Sequence, residues 1–378
     1  MCPGRNGPVR KAQESVTIGL YSPLPPLRTG VADYAASLLA GLREHGRVEV
    51  EPERCNVALY HIGNNGLHGR IYDQAMERPG VVVLHDAVLH HFLLGRLNEP
   101  GYLDEFVHNY GKWTRGLARD LWRGRAASGA DHRYFEYPML RRLGERSLAI
   151  IVHNPAAARI MREHAPSARV LEIPHLFDSP ELPSEADAIR YRQRLGIPPD
   201  RFLFGVFGYL RESKRLMAVL DAFSMLEGKA SLLVAGEFVS RDLERAAAPL
   251  LTAPGIVRLT HLPEREFWLA ASAVDACVNL RYPAAGETSG IAVRLMGIGK
   301  PVMVTESEEC SGFPEAACVR IPPGAAERES LRRHMLLLTS MPEAARAIGL
   351  TGAAHIRDRH RVSEISERYW RVLCDFGG

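Results

Sequence analysis

Short, unbroken runs of Val, Ile and Leu constrain this chain more than any other feature. Val16–Tyr21, Val57–Tyr60, Val81–Leu84, Leu148–Val152 and Val170–Ile173 form a first series. Phe202–Phe207, Ser231–Ala235, Val257–Thr260, Ala276–Leu280 and Val302–Val304 form a second. Runs this short and apolar suit strands buried on both faces, as in parallel sheets. Helical patterns interleave with them, at Val31–Leu42, Leu216–Leu226 and Phe267–Ala273. Alternation of this kind predicts an α/β chain with doubly wound parallel sheets. Because the series restarts, two such Rossmann-like domains are expected, facing each other across a cleft. Their ligands would lie beyond the carboxyl ends of the strands.

Between the series, Phe177–Asp200 carries Pro180, Pro183, Pro198 and Pro199 and reads as a connection with a short helix inside it. The expected boundaries are residues 1–176 and 177–363, with a last helix over 364–378. Only Arg43–Asn56 separates the first helix from the second strand, so the first domain is compact. Leu103–Arg146 lacks strand-like runs, is rich in Arg, Trp and Tyr, and reads as helical.

A chain of 378 residues suits two domains better than one. Its formal charge of +3 gives no reason to expect nucleic acid as a partner. Six scattered cysteines include no CxxC pair, and no histidine cluster has zinc spacing, so no metal site is expected. The opening MCPGRNGPVRKAQ has no apolar centre, against a secretory leader. No apolar run is long enough to cross a bilayer. A cytoplasmic protein is expected, with peripheral contact at the inner membrane face left open.

Four strand-to-helix junctions carry candidate chemistry. In GETSGIAVRLMGIGKPVMVTE, Ser289 is placed to cap a helix from Gly290. That helix start would offer amides to a phosphate, Gly286 and Gly290 would admit it closely, and Glu287 would accept from sugar hydroxyls. An ordinary helix cap explains the same residues equally well. In FGYLRESKR, Arg211, Lys214 and Arg215 gather three cations, suited to a diphosphate or to a solvated basic loop. SPLPPLRTGV stiffens a loop ahead of Gly30 and Val31 and holds no GxGxxG fingerprint, against a nicotinamide cofactor. His61 and His85 each follow an apolar run directly, so both are expected at strand ends, able to donate to a hydroxyl or move a proton. His90 and His91 read as packing residues.

Together SPLPPLRTGVADYAASLLAGL, YHIGNNGLHGRIYDQAMERPGVVVLHDAVLHHF, FGYLRESKRLMAVLDAF and LRYPAAGETSGIAVRLMGIGKPVMVTE resemble the motifs of glycosyltransferase family 4. That resemblance runs from about Val16 to Cys374. It implies a GT-B fold and retaining transfer of a sugar from a nucleotide donor, UDP- or GDP-linked, with no further cofactor. The acceptor would be a hydroxyl of a saccharide, a lipid-linked sugar or a small molecule. Gly30 and Val31 would approach the donor diphosphate, and Lys214, with Arg211, would bind it. Gly286 and the helix start at Thr288, Ser289, Gly290 and Ile291 would cap it. Glu287 would hold sugar hydroxyls, His85 would lie beside the sugar, and Val257 and Arg258 would meet the base. His61, Asn64 and Asp86 fall on the acceptor side. The helix Ser366–Cys374 resembles the closing helix that crosses back onto the first domain. Two positions depart from the pattern: Tyr209 stands where an arginine is common, and Arg294 stands where the second glutamate of a pair is expected. An Arg294 guanidinium would meet ribose or phosphate differently from a carboxylate. An epimerase or hydrolase on the same fold, and a non-catalytic nucleotide-sugar-binding protein, are the rival readings.

Overall fold

The structure, a computed structural model, describes residues 16–377. The reading of the opening stretch, Cys2 included, lies outside the described residues. The chain divides into two compact units. The first runs to Asp178 and takes in Ala285–Thr288 and the chain from His360 onward. The second comprises Ser179–Ala284 and Ser289–Arg359.

The first unit holds a sheet of β1 (Thr17–Tyr21), β2 (Arg47–Val50), β3 (Val57–Ile62), β4 (Val81–Leu84), β5 (Ala149–Val152) and β6 (Val170–Glu172). Their spatial order is β2-β1-β3-β4-β5-β6, and every pairing is parallel. Every residue of β3, β4 and β5 is buried, which is why these strands are apolar throughout except at His61. Strand β2 was not expected in the Arg43–Asn56 connection. It lies at the sheet edge, and its RVEV alternates polar with apolar residues, so it lacks the signal of a central strand.

Helix Gly30–Arg43 begins where the Thr29 side chain accepts from the Ala32 amide. It buries Tyr34, Leu38 and Leu42, four residues apart, on one stripe. The final helix, Val362–Gly377, buries Ile365, Tyr369 and Leu373 at the same interval. The two stripes share one cluster with Val16, Ile18, Leu20 and Leu59 beneath them. Their axes approach closely because Gly41 has no side chain: a Cβ there would fall 2.8 Å from Ser366 Cβ. The Tyr34 and Tyr369 hydroxyls meet at 2.9 Å inside the contact. The Leu103–Arg146 segment is helical as expected, with Tyr102, Phe106, Leu121 and Tyr134 in the core on the other sheet face.

The second unit repeats the plan with β7 (Phe202–Phe207), β8 (Ala230–Ala235), β9 (Ile256–Leu259), β10 (Ala276–Asn279), β11 (Val302–Thr305) and β12 (Val319–Ile321). Their order is β12-β11-β10-β7-β8-β9, again all parallel. The Pro-rich connection contains helix Glu185–Arg194, closed by a capping box between Ser184 and Asp187. Among the described residues no helix is long and apolar enough to cross a membrane.

Tyr369→Ala should destabilise the first unit by about 3–5 kcal/mol through the cavity it leaves. Tyr369→Phe should cost about 1–3 kcal/mol by leaving the Tyr34 hydroxyl without its partner. Urea unfolding followed by tryptophan fluorescence measures both, and equal midpoints for the two variants would contradict this packing.

Candidate functional site

In each sheet the strand order reverses once, and the loops on either side of a reversal splay apart to leave a crevice at the carboxyl ends. In the second unit the reversal lies between β7 and β10. Gly208 follows β7 with φ of 87°, a conformation glycine adopts without strain. A Cβ on Gly208 would lie 3.0 Å from Lys214 Nζ and 3.6 Å from Ile291 Cγ1. Lys214, the bare backbone at Gly208 and the start of helix Gly290–Gly297 therefore converge on one spot. Lys214 Nζ also donates to the Phe207 carbonyl at 3.1 Å.

Three contacts hold Ser289 in its capping role. Its Oγ donates to Asn279 Oδ1 at 2.7 Å and accepts from Arg281 Nη2 at 3.1 Å and from the Ala292 amide at 3.2 Å. The first-turn amides at Gly290 and Ile291 have no partner within the helix and sit at the positive end of its dipole.

Other expected members of this half do different work. Arg215 forms an ion pair at 2.7 Å with Glu327, whose side chain is 3% exposed, so this cation of the three is committed to a buried carboxylate. Arg211 is exposed at the loop. Val257 lies half-buried within β9, paired with Leu233 of β8. Arg258 donates to the Val234 carbonyl at 3.2 Å and to the Gly236 carbonyl, with its guanidinium over the Phe238 ring. Burial lowers its pKa. The guanidinium of Arg294 stacks over Phe267 and Trp268, 4.3 and 4.4 Å from their ring centroids, and reaches Glu264 at 3.3 Å. It is engaged with helix Glu264–Ala273.

In the first unit the reversal lies between β1 and β3. The Pro-rich loop follows β1, with Gly30 exposed and Val31 half-buried at the start of its helix. A Cβ on Gly30 would meet nothing within 4 Å, so the space above it is open. Gly63 and Asn64 follow β3. The Asn64 amide donates to Asp86 Oδ2, and Asn64 Oδ1 accepts from the Phe92 amide, both at 2.7 Å. Asn64 and Asp86 thus lock the loops after β3 and β4 to each other.

His61 stands near the carboxyl end of its strand but inside it. It is the fifth residue of β3 and fully buried, because the strand continues to Ile62. His85 does follow β4, with its amide bonded to the Ile62 carbonyl at 2.9 Å. His61 Nδ1 lies 3.1 Å from His85 Nε2. Two further histidines join them. The Tyr34 ring is 5.8, 5.1, 5.1 and 4.7 Å from the rings of His61, His85, His153 and His175. Burial holds His61 neutral, with its pKa lowered to about 3, and His153 likewise, lowered to about 4. Burial also takes His85 well below its ordinary value, helped by the neighbouring imidazoles. His90 is a packing residue, bonded to Tyr102 and to the Tyr137 carbonyl and lowered to about 3 by burial.

The segment Ala285–Thr288 completes this unit. Gly286 has φ of 69°, and a Cβ there would fall 2.6 Å from Ala87 Cβ. Asn154 Nδ2 donates to the Gly286 carbonyl and to Thr288 Oγ1, each at 2.9 Å. Its Oδ1 accepts from the Ala157 amide at 2.9 Å and so caps helix Pro155–His164. Glu287, beside this anchor, is half-buried and accepts from the Ala285 amide at 2.9 Å. His153 and Asn154 escaped the sequence reading, although they follow the run Leu148–Val152 just as His85 follows Val81–Leu84.

No protein-family model and no curated protein matches this chain. Solved structures do share its fold. Sucrose-phosphate synthase from Thermosynechococcus elongatus is 14% identical over 95% of this chain and 98% of that one, with a TM-score of 0.69. HepE of Anabaena, solved with UDP and glucose, is 14% identical over 95% of this chain and 100% of its own, also at 0.69. WaaG, a glycosyltransferase involved in lipopolysaccharide biosynthesis, is 14% identical over 95% and 99%, at 0.62. Identity this low shows the fold, an α/β chain of two Rossmann-like domains as in GT-B proteins.

The neutral histidines make stability depend on pH. Each has a folded pKa below its unfolded value of about 6.5, so the unfolded chain binds more protons below that pH. Stability should be level above pH 6.5 and fall as pH drops toward 4. Each fully shifted histidine contributes about 1.4 kcal/mol of that loss by pH 5.5. Urea midpoints at pH 7.5 and 5.5, with unchanged m values, test this. Equal midpoints would show that the imidazoles are not held neutral.

Proposed function

We propose that this protein is a retaining glycosyltransferase that moves a sugar from a nucleotide donor to a hydroxyl acceptor. One observation carries the reading. At the strand-order reversal of the second unit, a cation, a side-chain-free backbone and a capped helix start converge, a combination suited to a diphosphate. Structural neighbours support it: HepE has been solved with UDP and with UDP-glucose, and WaaG is named as a glycosyltransferase. A UDP-linked sugar is therefore the first donor to test.

In this reading Lys214 and the amides of Gly290 and Ile291 hold the diphosphate, with Arg211 at the same loop. Glu287 and His85 hold sugar hydroxyls, and His61, Asn64 and Asp86 shape the acceptor side. The bond from the anomeric carbon to the phosphate oxygen breaks as the acceptor oxygen bonds to the same face of that carbon. The acceptor's proton passes to the departing diphosphate, so no side chain is needed as base. Catalysis then rests on positioning and on charge stabilisation at the leaving group.

Lys214→Ala should lower turnover of UDP-glucose by about 10²–10³-fold, the scale of losing one preorganised donor to developing charge. It should also weaken UDP binding measured by calorimetry. Parental turnover in that variant would refute the assignment. Labelled donor incubated alone and then with saccharide acceptors separates transfer from hydrolysis or epimerisation.

Trp113, 86% exposed beside Lys112 and Arg115, supports peripheral contact with an anionic membrane, where a lipid-linked acceptor would be found. Vesicles containing anionic lipid should carry the protein on flotation and lose it with Trp113→Ser. Failure to float at low salt would remove this contact from the reading.

A further inference from the structure

We infer that His61 is a positioning residue that fixes His85 as a neutral hydrogen-bond donor through its Nδ1–H. The 3.1 Å contact between His61 Nδ1 and His85 Nε2 needs one proton, supplied by one ring or the other. If His85 donates, neutral His61 must carry its own proton on Nε2. That atom is buried with no partner among the described residues, so an N–H would be stranded there. If His61 donates, its Nε2 is left as a lone pair, and His85 carries its proton on Nδ1. Buried N–H groups without acceptors are rarer than under-satisfied acceptors.

The neighbouring rings follow the same rule. His68 Nδ1 faces the His61 carbonyl at 2.9 Å, and His153 Nδ1 faces the Ile173 carbonyl at 3.0 Å. A carbonyl only accepts, so both Nδ1 atoms carry the proton. Their Nε2 atoms are then bare acceptors, and both are buried without a partner. The cluster thus leaves acceptors unpaired at two fixed points, and the same choice at His61 sets His85. Tyr34 supports the His85 ring edge-on, at 80° and 5.1 Å.

His85 cannot then take a proton at Nδ1, because it already holds one there. It gives a hydrogen bond to an oxygen, of a sugar hydroxyl or of a group gaining negative charge. That last role rests on the glycosyl-transfer reading, whereas the proton's location does not.

Protein labelled with ¹⁵N-histidine reports the tautomer directly in long-range ¹H–¹⁵N correlation spectra at pH 7.5. His85 is identified by the signals lost in His85→Gln. The expected result is His85 protonated at Nδ1 in the unsubstituted protein. The Nε2–H form there would overturn the inference. His61→Asn, whose amide can still donate, should keep the Nδ1–H form, whereas His61→Phe should release His85 to the Nε2–H form. His85 unchanged in His61→Phe would also overturn it. If His61→Phe does not fold, the unsubstituted protein and His61→Asn still decide. With UDP-glucose as donor, His61→Phe should lower kcat at least tenfold with UDP affinity kept, and His61→Asn should recover most of it. No turnover by the unsubstituted protein would remove the glycosyl-transfer reading and leave the tautomer result standing.

Discussion

Parallel strand order is the constraint on which everything else here depends. A parallel pair cannot be joined by a tight turn, so most connections here cross a sheet face as a helix. When the chain has built outward from β1 or β7, it must return to that strand's other side to continue. The loops after β1 and β3, and those after β7 and β10, therefore diverge. Gly30, Asn64, Lys214 and Ser289 lie on those loops, where the topology opens space. The same buried strands supply rigidity, so a lysine or a helix start placed at their ends is held without needing a ligand to order it.

The first unit adds a layer to this plan. Tyr369 on the final helix touches Tyr34, and Tyr34 touches four imidazoles at the strand ends. A residue near the end of the chain thus helps pack a cluster built from its first half. Burying imidazoles costs less than burying charges, provided they stay neutral and their ring N–H groups find acceptors. That condition suits a cluster built of histidine and tyrosine rings.

Most of the strand framework was legible because both-face burial writes itself as runs such as Val81–Leu84. Edge strand β2 was not, since one exposed face admits Arg47 and Glu49 and breaks the run. The helix start at Ser289 was legible as a cap, and Lys214 as a cation on a strand-end loop. The commitment of Arg215 to Glu327 was not, because its partner lies more than a hundred residues away in sequence. The full burial of His61 was not legible, since Tyr60 looked like the end of an apolar run that Ile62 in fact continues. Asn154 could not be read as an anchor for Gly286 and Thr288, because an Asn-Pro pair signals only a helix cap until the long-range partner is seen.

Arg294 shows how a cation on a partly buried helix face is absorbed. A guanidinium at that position would leave a charge in a half-buried helix face if nothing met it. Phe267 and Trp268 offer two ring faces, and Glu264, a turn earlier on the same helix, offers the counter-charge. Cation–π contacts of this kind contribute about 0.5–2 kcal/mol, enough to hold the side chain against the neighbouring helix. Arg294 is therefore a tie between two helices of the second unit.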